Sequence, residues 1–208
     1  MTSVDIKTPE VIVFDIGNVL LHWDPDQLYA ELIPDEAARK KFYRTVDTYS
    51  MNVEIDRGGP FRETIYATAE KYPEFTDLVR AWHDRWIDMA KPLIEESCEI
   101  LLALRRQKFP VFALSNFGVD SFAYAETVYP ILKEFDRRYI SGHLKVVKPD
   151  PAIYEALEAD SGLTGDSLFF TDDSAKNIAA ARARGWQAEL FTTPALLRTA
   201  LADRGINL

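Results

Sequence analysis

Val11-Ile-Val-Phe-Asp15-Ile-Gly17-Asn18-Val-Leu-Leu21 is the stretch whose reading decides the fold. An unbroken apolar run of this kind is expected of a strand in a parallel sheet covered on both faces. It brings one carboxylate, Asp15, to the strand's end, and the chain then turns sharply through Gly17-Asn18. Three later segments give that Asp company: Val111-Phe-Ala-Leu-Ser115-Asn116, Val146-Val-Lys148-Pro-Asp-Pro151 and Leu168-Phe-Phe-Thr-Asp172-Asp173-Ser-Ala-Lys-Asn177. The first and last of these are again hydrophobic strands ending in small polar or acidic groups. Ligands of open parallel sheets sit just outside such carboxyl ends. An Asp, a Ser, a Lys and an Asp pair gathered at one edge form a site for chemistry on an anion.

Outward from these segments the pattern predicts a strand over 10–15, then a block from Asp24 to about Ala90 with no comparable strand run. That block holds amphipathic helical stretches separated by Pro25, Pro34-Asp35, Gly58-Gly59-Pro60, Pro73 and Pro92. Helix and strand then alternate: helix 94–107, strand 110–115, helix 120–129, strand 138–141, helix 150–159, strand 167–171, helix 175–184, strand 187–191 and helix 194–203. Such alternation implies crossover units and a parallel sheet. Asp150-Pro151 and Thr193-Pro194 each place an N-cap residue before a proline at the first helical position. The expected fold is a doubly wound α/β core, residues 1–23 and 91–208, with an all-helical cap inserted at 24–90. A cap placed there can close over the strand ends, exclude water and supply substrate contacts.

Composition sets outer bounds. The 208 residues are 47% hydrophobic, ample for a core. A formal charge of -9 argues against nucleic acid and anionic membrane surfaces, which call for clustered Lys or Arg, and leaves room for a small anionic substrate such as a phosphorylated metabolite, since a site can be locally positive in an acidic protein. Cys98 is the single cysteine, so no intrachain disulfide forms and a reduced, cytoplasmic setting is expected; its helical context reads as a core thiol. Residues 1–10 lack a basic stretch followed by an apolar one, so no signal peptide is read. No stretch approaches the ~20 apolar residues of a membrane helix.

Taken together, the four segments resemble the motifs of the haloacid dehalogenase-like hydrolases. Phe14-Asp15-Ile-Gly17-Asn18-Val19 is similar to the first motif, D-x-D-x-T/V, except at its second Asp. Ser115-Asn116 resembles the second, Lys148-Pro149 the third, and Asp172-Asp173 with Asn177 the fourth. Each is weak alone; four in order at strand ends are a specific signal. The resemblance implies a magnesium-dependent phosphatase in which Asp15 attacks phosphorus to form an aspartyl-phosphate that water hydrolyses. It further implies a metal held by Asp15, the Gly17 carbonyl and Asp173, with Asp172 supporting it directly or through water, and a phosphoryl group bound by Ser115, Asn116 and Lys148. The physics agrees, because a carboxylate approaching a phosphate dianion is repelled until charge is cancelled. Asn18 and Arg57 are further candidate substrate contacts; Arg57 precedes a turn that could project it toward the site, although a solvated Arg is the plainer reading of it.

The departures are informative. Gly17 stands where most phosphatases of the family carry an acid that protonates the leaving group, help worth ~10²- to 10⁴-fold. A subset resembling bacterial sugar-1-phosphate phosphatases shares this D-x-G-N-V form, which points to a sugar 1-phosphate or a similarly activated ester. Lys145 stands where relatives often have Gly. Two other readings stay open: a metal-free 2-haloacid dehalogenase, whose halide leaves without a proton, and a binding or regulatory protein of the same fold. His22 and Asp24 are read as hinge residues, Trp82 and Trp86 as packing, His83 and His143 as structural. Tyr154 is read as either packing or orienting Lys148.

Overall fold

A computed structural model describes residues 7–208; residues 1–6, part of the stretch in which no signal peptide is read, lie outside the described residues. The chain runs β1 (Val11–Phe14), then five helices, α1 (Pro25–Leu32), α2 (Glu36–Val46), α3 (Thr48–Asp56), α4 (Phe61–Lys71) and α5 (Thr76–Asp84). Alternation follows: α6 (Glu95–Arg106), β2 (Val111–Ser115), α7 (Val119–Val128), β3 (Arg137–Ile140), α8 (Ser141–Leu144), α9 (Pro151–Ser161), β4 (Leu168–Asp172), α10 (Ala175–Ala183), β5 (Gln187–Leu190) and α11 (Pro194–Ala202). Among the described residues no helix is long and apolar enough to cross a membrane.

All four pairings in the five-stranded sheet are parallel, in the order β3-β2-β1-β4-β5. Side chains alternate across a strand, and the strands divide accordingly. Val11, Val13, Phe112, Leu114, Leu168 and Phe170 pack with Ile153, Tyr154 and Leu157 of α9 and Ile178 of α10. Ile12, Phe14, Ala113 and Phe169 pack on the opposite face with Ile100, Leu101 and Leu104 of α6 and Leu197 of α11. Both faces are covered, which is why β1, β2 and β4 needed continuous apolar runs rather than alternation. The second cluster extends into the inserted helices through Leu28, Tyr29, Phe42, Ile55, Trp82 and Trp86.

The expected local signals hold. Asp150 accepts from Ala152 N at 3.0 Å and Thr193 from Leu196 N at 3.3 Å, each capping a helix that begins with proline. Cys98 is buried, and burial pushes its thiol up to about 11, so it is an inert core residue. Lys145 has φ +59°, a left-handed conformation that favours glycine.

The order of strands places the site. From β1 the chain steps outward through β2 and β3, then returns to β4 on the other side of β1. The crevice at this reversal is where ligands of such sheets bind. Phe14 is paired with both Ala113 and Thr171, and Asp15 N donates to the Thr171 carbonyl at 2.9 Å. The residues that follow β1, β2 and β4 therefore emerge side by side.

Candidate active site

Three strand ends and one loop converge on Lys148. Its ammonium, 1% exposed, lies 2.9 Å from Asp15 Oδ1 and 2.6 Å from Asp172 Oδ2, and donates at 2.8 Å to the Leu114 carbonyl. Burial works against the charged ammonium, yet Asp15 and Asp172 outweigh it and hold Lys148 above the ordinary lysine value. Asp15 Oδ1 also accepts from Ser115 Oγ and Ile16 N, both at 2.7 Å. Burial is the strongest influence on Asp15 and pushes its carboxyl up; Lys148 pulls it down, Asp172 pushes it up, and Ser115 pulls it down.

Asp172 is saturated. Oδ1 accepts from Ser174 N at 2.8 Å and Asn177 Nδ2 at 2.9 Å; Oδ2 accepts from Lys148 Nζ and Asn177 Nδ2. These contacts fill the lone-pair positions of a carboxylate, so Asp172 could meet an ion only by giving one up. Its place is to fix and charge-balance Lys148. Tyr154 takes no part in holding Lys148 directly: its hydroxyl donates to the Asn177 carbonyl at 3.1 Å, supporting the residue that holds Asp172.

Asn18 has φ +55° and is the left-handed residue of the turn after β1. Its side chain accepts from Trp23 N at 2.9 Å and donates to Asp173 Oδ2 at 3.0 Å, so it positions Asp173. Asn116 is likewise committed: Lys148 N donates to its Oδ1 at 2.7 Å and its Nδ2 donates to the Lys148 carbonyl at 3.1 Å. The clamp holds the third motif against the second.

Oxygens of Asp15, Asp172 and Asp173 lie within 4.8 Å of one another. Three carboxylates crowd around one buried ammonium, and the donors are hard oxygens. Both facts suit a divalent ion such as Mg²⁺. Gly17, whose carbonyl the family resemblance puts with these ligands, lines the same space.

The space is a cavity of about 720 Å³ between the strand ends and the inserted helices. Asp15, Gly17, Asn18, Ser115, Asn116, Lys148 and Asp173 line it, with Trp23, Tyr49, Trp86 and Phe117 as its aromatic part. The structure does not bring Arg57 there. Arg57 is exposed and lines a separate depression with Gly58, Gly59 and Lys145. Successive helical residues point roughly 100° apart, and it is the preceding residue, Asp56, that faces the cavity. Sequence reasoning missed Asp56; the signal at hand was its position at the helix end before Gly58-Gly59-Pro60. His22 is exposed and Asp24 caps α1 by accepting from Asp26 N at 2.9 Å. Trp82 and Trp86 are buried around Trp23, with ring centroids 6.1 and 5.7 Å from it. His83 pairs with Asp84 and His143 is exposed.

A family model described as haloacid dehalogenase-like hydrolase matches residues 9–185. Among solved structures, a HAD family enzyme from Bacteroides thetaiotaomicron with magnesium bound aligns with a TM-score of 0.71 at 21% identity, over 90% of this chain and 95% of that one. The same enzyme is also solved with magnesium and inorganic phosphate. L-2-haloacid dehalogenase from Xanthobacter autotrophicus, with chloropropionic acid covalently bound, aligns with a TM-score of 0.60 at 16% identity, over 93% and 83%. At such identities the likeness is one of fold. A curated relative, drimenol cyclase from Aspergillus calidoustus, is 23% identical over 186 residues, and the chain spans about a third of that protein's length.

Proposed function

The chain belongs to the haloacid dehalogenase-like hydrolases, and from that premise we propose that it is a magnesium-dependent phosphatase acting on a small phosphate monoester through Asp15. The observation that carries this reading is the trio Asp15, Asp172 and Asp173, drawn within 4.8 Å beside a single lysine. The halide-displacing reaction of a 2-haloacid dehalogenase does not call for such clustered acids, and their mutual repulsion beside a single buried lysine is what a bound divalent ion would relieve.

In this reading Asp15, the Gly17 carbonyl and Asp173 hold the ion, with Asp172 behind Lys148. Bound there, magnesium would neutralise phosphoryl oxygens and orient the group for in-line attack. The chain's own residues supply the rest. Asp15 offers the carboxylate oxygen that bonds to phosphorus. Lys148 favours the ionised form of that carboxylate against the effect of burial and adds a fixed positive charge beside the phosphoryl oxygens. Ser115 exchanges its hydrogen bond to Asp15 for one to the substrate. Asn116 holds Lys148 in register, and Asn18 does the same for Asp173. Trp23, Tyr49 and Trp86 present apolar faces suited to the ring of a sugar, which makes a sugar 1-phosphate the first substrate class to try.

The test is a panel of 4-nitrophenyl phosphate, a sugar 1-phosphate and L-2-chloropropionate, each with Mg²⁺ and with EDTA. Phosphate release that EDTA abolishes, and that Asp15→Asn lowers by on the order of 10⁴-fold or more, is the expected result. Chloride release insensitive to EDTA would establish the dehalogenase reading instead.

A further inference from the structure

If position 17 carries no acid, some other group must give a proton to the departing oxygen and later take one from water. Nothing about the backbone compels glycine there. A Cβ on Gly17 would meet only Trp23 Cβ, at 3.7 Å, and its φ is not in the left-handed region. The acid is therefore missing from β1's loop without a steric reason.

The cavity holds one further carboxylate, delivered by the inserted helices. Asp56, the last residue of α3, lines it together with Asp15, Ser115, Lys148 and Asp173. Its Oδ2 accepts from Asn52 Nδ2 at 2.9 Å, and Oδ1 has no donor among the described residues. The end of α3 is pinned to the core. Ser141 Oγ donates to the Asp56 carbonyl at 2.6 Å while accepting from Phe117 N at 2.8 Å. On either side of Asp56 the fit needs glycine. A Cβ on Gly118 would lie 2.5 Å from Ile55 Cγ2, and one on Gly58, which has φ +92°, would lie 2.5 Å from the Gly142 carbonyl oxygen. Tight packing, rather than a free loop, aims this carboxylate.

Building on the phosphatase reading, we propose that Asp56 is the general acid and base of the reaction, supplying from the helical insertion the proton transfer that position 17 cannot. As an Asp15 oxygen bonds to phosphorus, the bond to the ester oxygen breaks. Its electron pair goes to that oxygen, which takes the proton carried by Asp56. Ionised Asp56 then accepts a proton from the water whose oxygen attacks the same phosphorus. The bond between phosphorus and Asp15 breaks with its pair returning to the carboxylate, inorganic phosphate leaves, and Asp56 is protonated again. The surroundings of Asp56 suit a proton carrier, because burial first, then the Asp15 charge, push its carboxyl up to about 7, with Lys148 opposing. An acid that titrates near the working pH serves best in both directions.

The experiment is a rapid-quench comparison of phosphoryl transfer to Asp15 in the wild type, Asp56→Asn and Asp56→Ala, with Mg²⁺. Two esters are used: 4-nitrophenyl phosphate, whose leaving group needs no proton, and propyl phosphate, whose leaving group does. The variants should react with the aryl ester within about tenfold of the wild type, release one burst of nitrophenolate and then stall, while transfer from propyl phosphate falls ~10²- to 10⁴-fold. Adding Gly17→Asp to Asp56→Asn should recover much of the propyl phosphate reaction. The two substitutions give independent chances of a folded protein, checked by circular dichroism. Equal losses on both esters, or none, overturn the role of Asp56 and leave the phosphatase reading standing. A wild type that releases phosphate from neither ester overturns both.

Discussion

On the strand-end side of the cavity the polar atoms are engaged several times over: Lys148 donates to Asp172 and the Leu114 carbonyl and is ion-paired with Asp15, and Asp172 accepts from three residues. On the α3 side Asp56 has one oxygen bonded and one free among the described residues, and Arg57 beside it faces solvent. On the reading proposed above, the difference matches two jobs: a nucleophile and its counter-charges are held to a fraction of an ångström against rigid strands, whereas a proton carrier needs an oxygen left available.

Three perturbations sharpen or break that contrast. The largest effect is expected from Lys148→Met, which leaves Asp15 and Asp172 buried with no counter-charge; breaking such a pair costs about 3–5 kcal/mol. Urea unfolding of the metal-free protein at neutral pH should show a loss of that size. A loss near zero would mean that the engaged side is not what holds this part of the fold together.

Next comes Asp56→Asn. The folded value near 7 lies above the ordinary 3.8, so between those limits the folded wild type takes up a proton that the unfolded chain lacks. Wild-type stability should therefore fall as pH rises through that window and stay at the lower level above it. The variant has no such titration. Its melting temperature relative to wild type should climb between pH 5 and pH 8, at roughly 2–4 °C per kcal/mol for a chain of this size. A flat difference would show that Asp56 sits comfortably ionised in the folded protein.

The smallest effect is reserved for Arg57→Ala. An exposed side chain away from the cavity should change stability by no more than about 0.5 kcal/mol, and turnover of the esters should hold within about twofold on the same scale. A loss confined to KM would bring Arg57 back as a substrate contact.

Much of this architecture could be read before any coordinates. The strands Val111–Ser115, Leu168–Asp172 and Gln187–Leu190 fall within a residue of their expected bounds, and Asp150 and Thr193 cap the helices they were expected to cap. Strands buried on both faces leave uninterrupted apolar runs, and caps leave their own dipeptides; both are local signals. The cap side was less legible. Ile55-Asp56-Arg57-Gly58-Gly59 offers an acid and a basic residue in succession, and Arg57 is the candidate there because the turn after it could project it toward the site. Which of the two enters the cavity depends on the phase of α3 and on its contact with Gly118, Ser141 and Gly142, residues 60 or more positions away.

By itself the sequence determined the parallel α/β order, the helical insertion after β1, and the set Asp15, Ser115, Lys148, Asp172 and Asp173, because apolar runs and the polar residues that end them are written within a few positions of each other. Tertiary structure alone decided that Asp172 is saturated by Lys148, Asn177 and Ser174, that Asn18 and Asn116 serve Asp173 and Lys148, and that Asp56 rather than Arg57 lines the cavity with Asp15. Those outcomes rest on how segments far apart in the chain approach one another, and a carboxylate's partners and pKa follow from that approach, not from its neighbours in sequence.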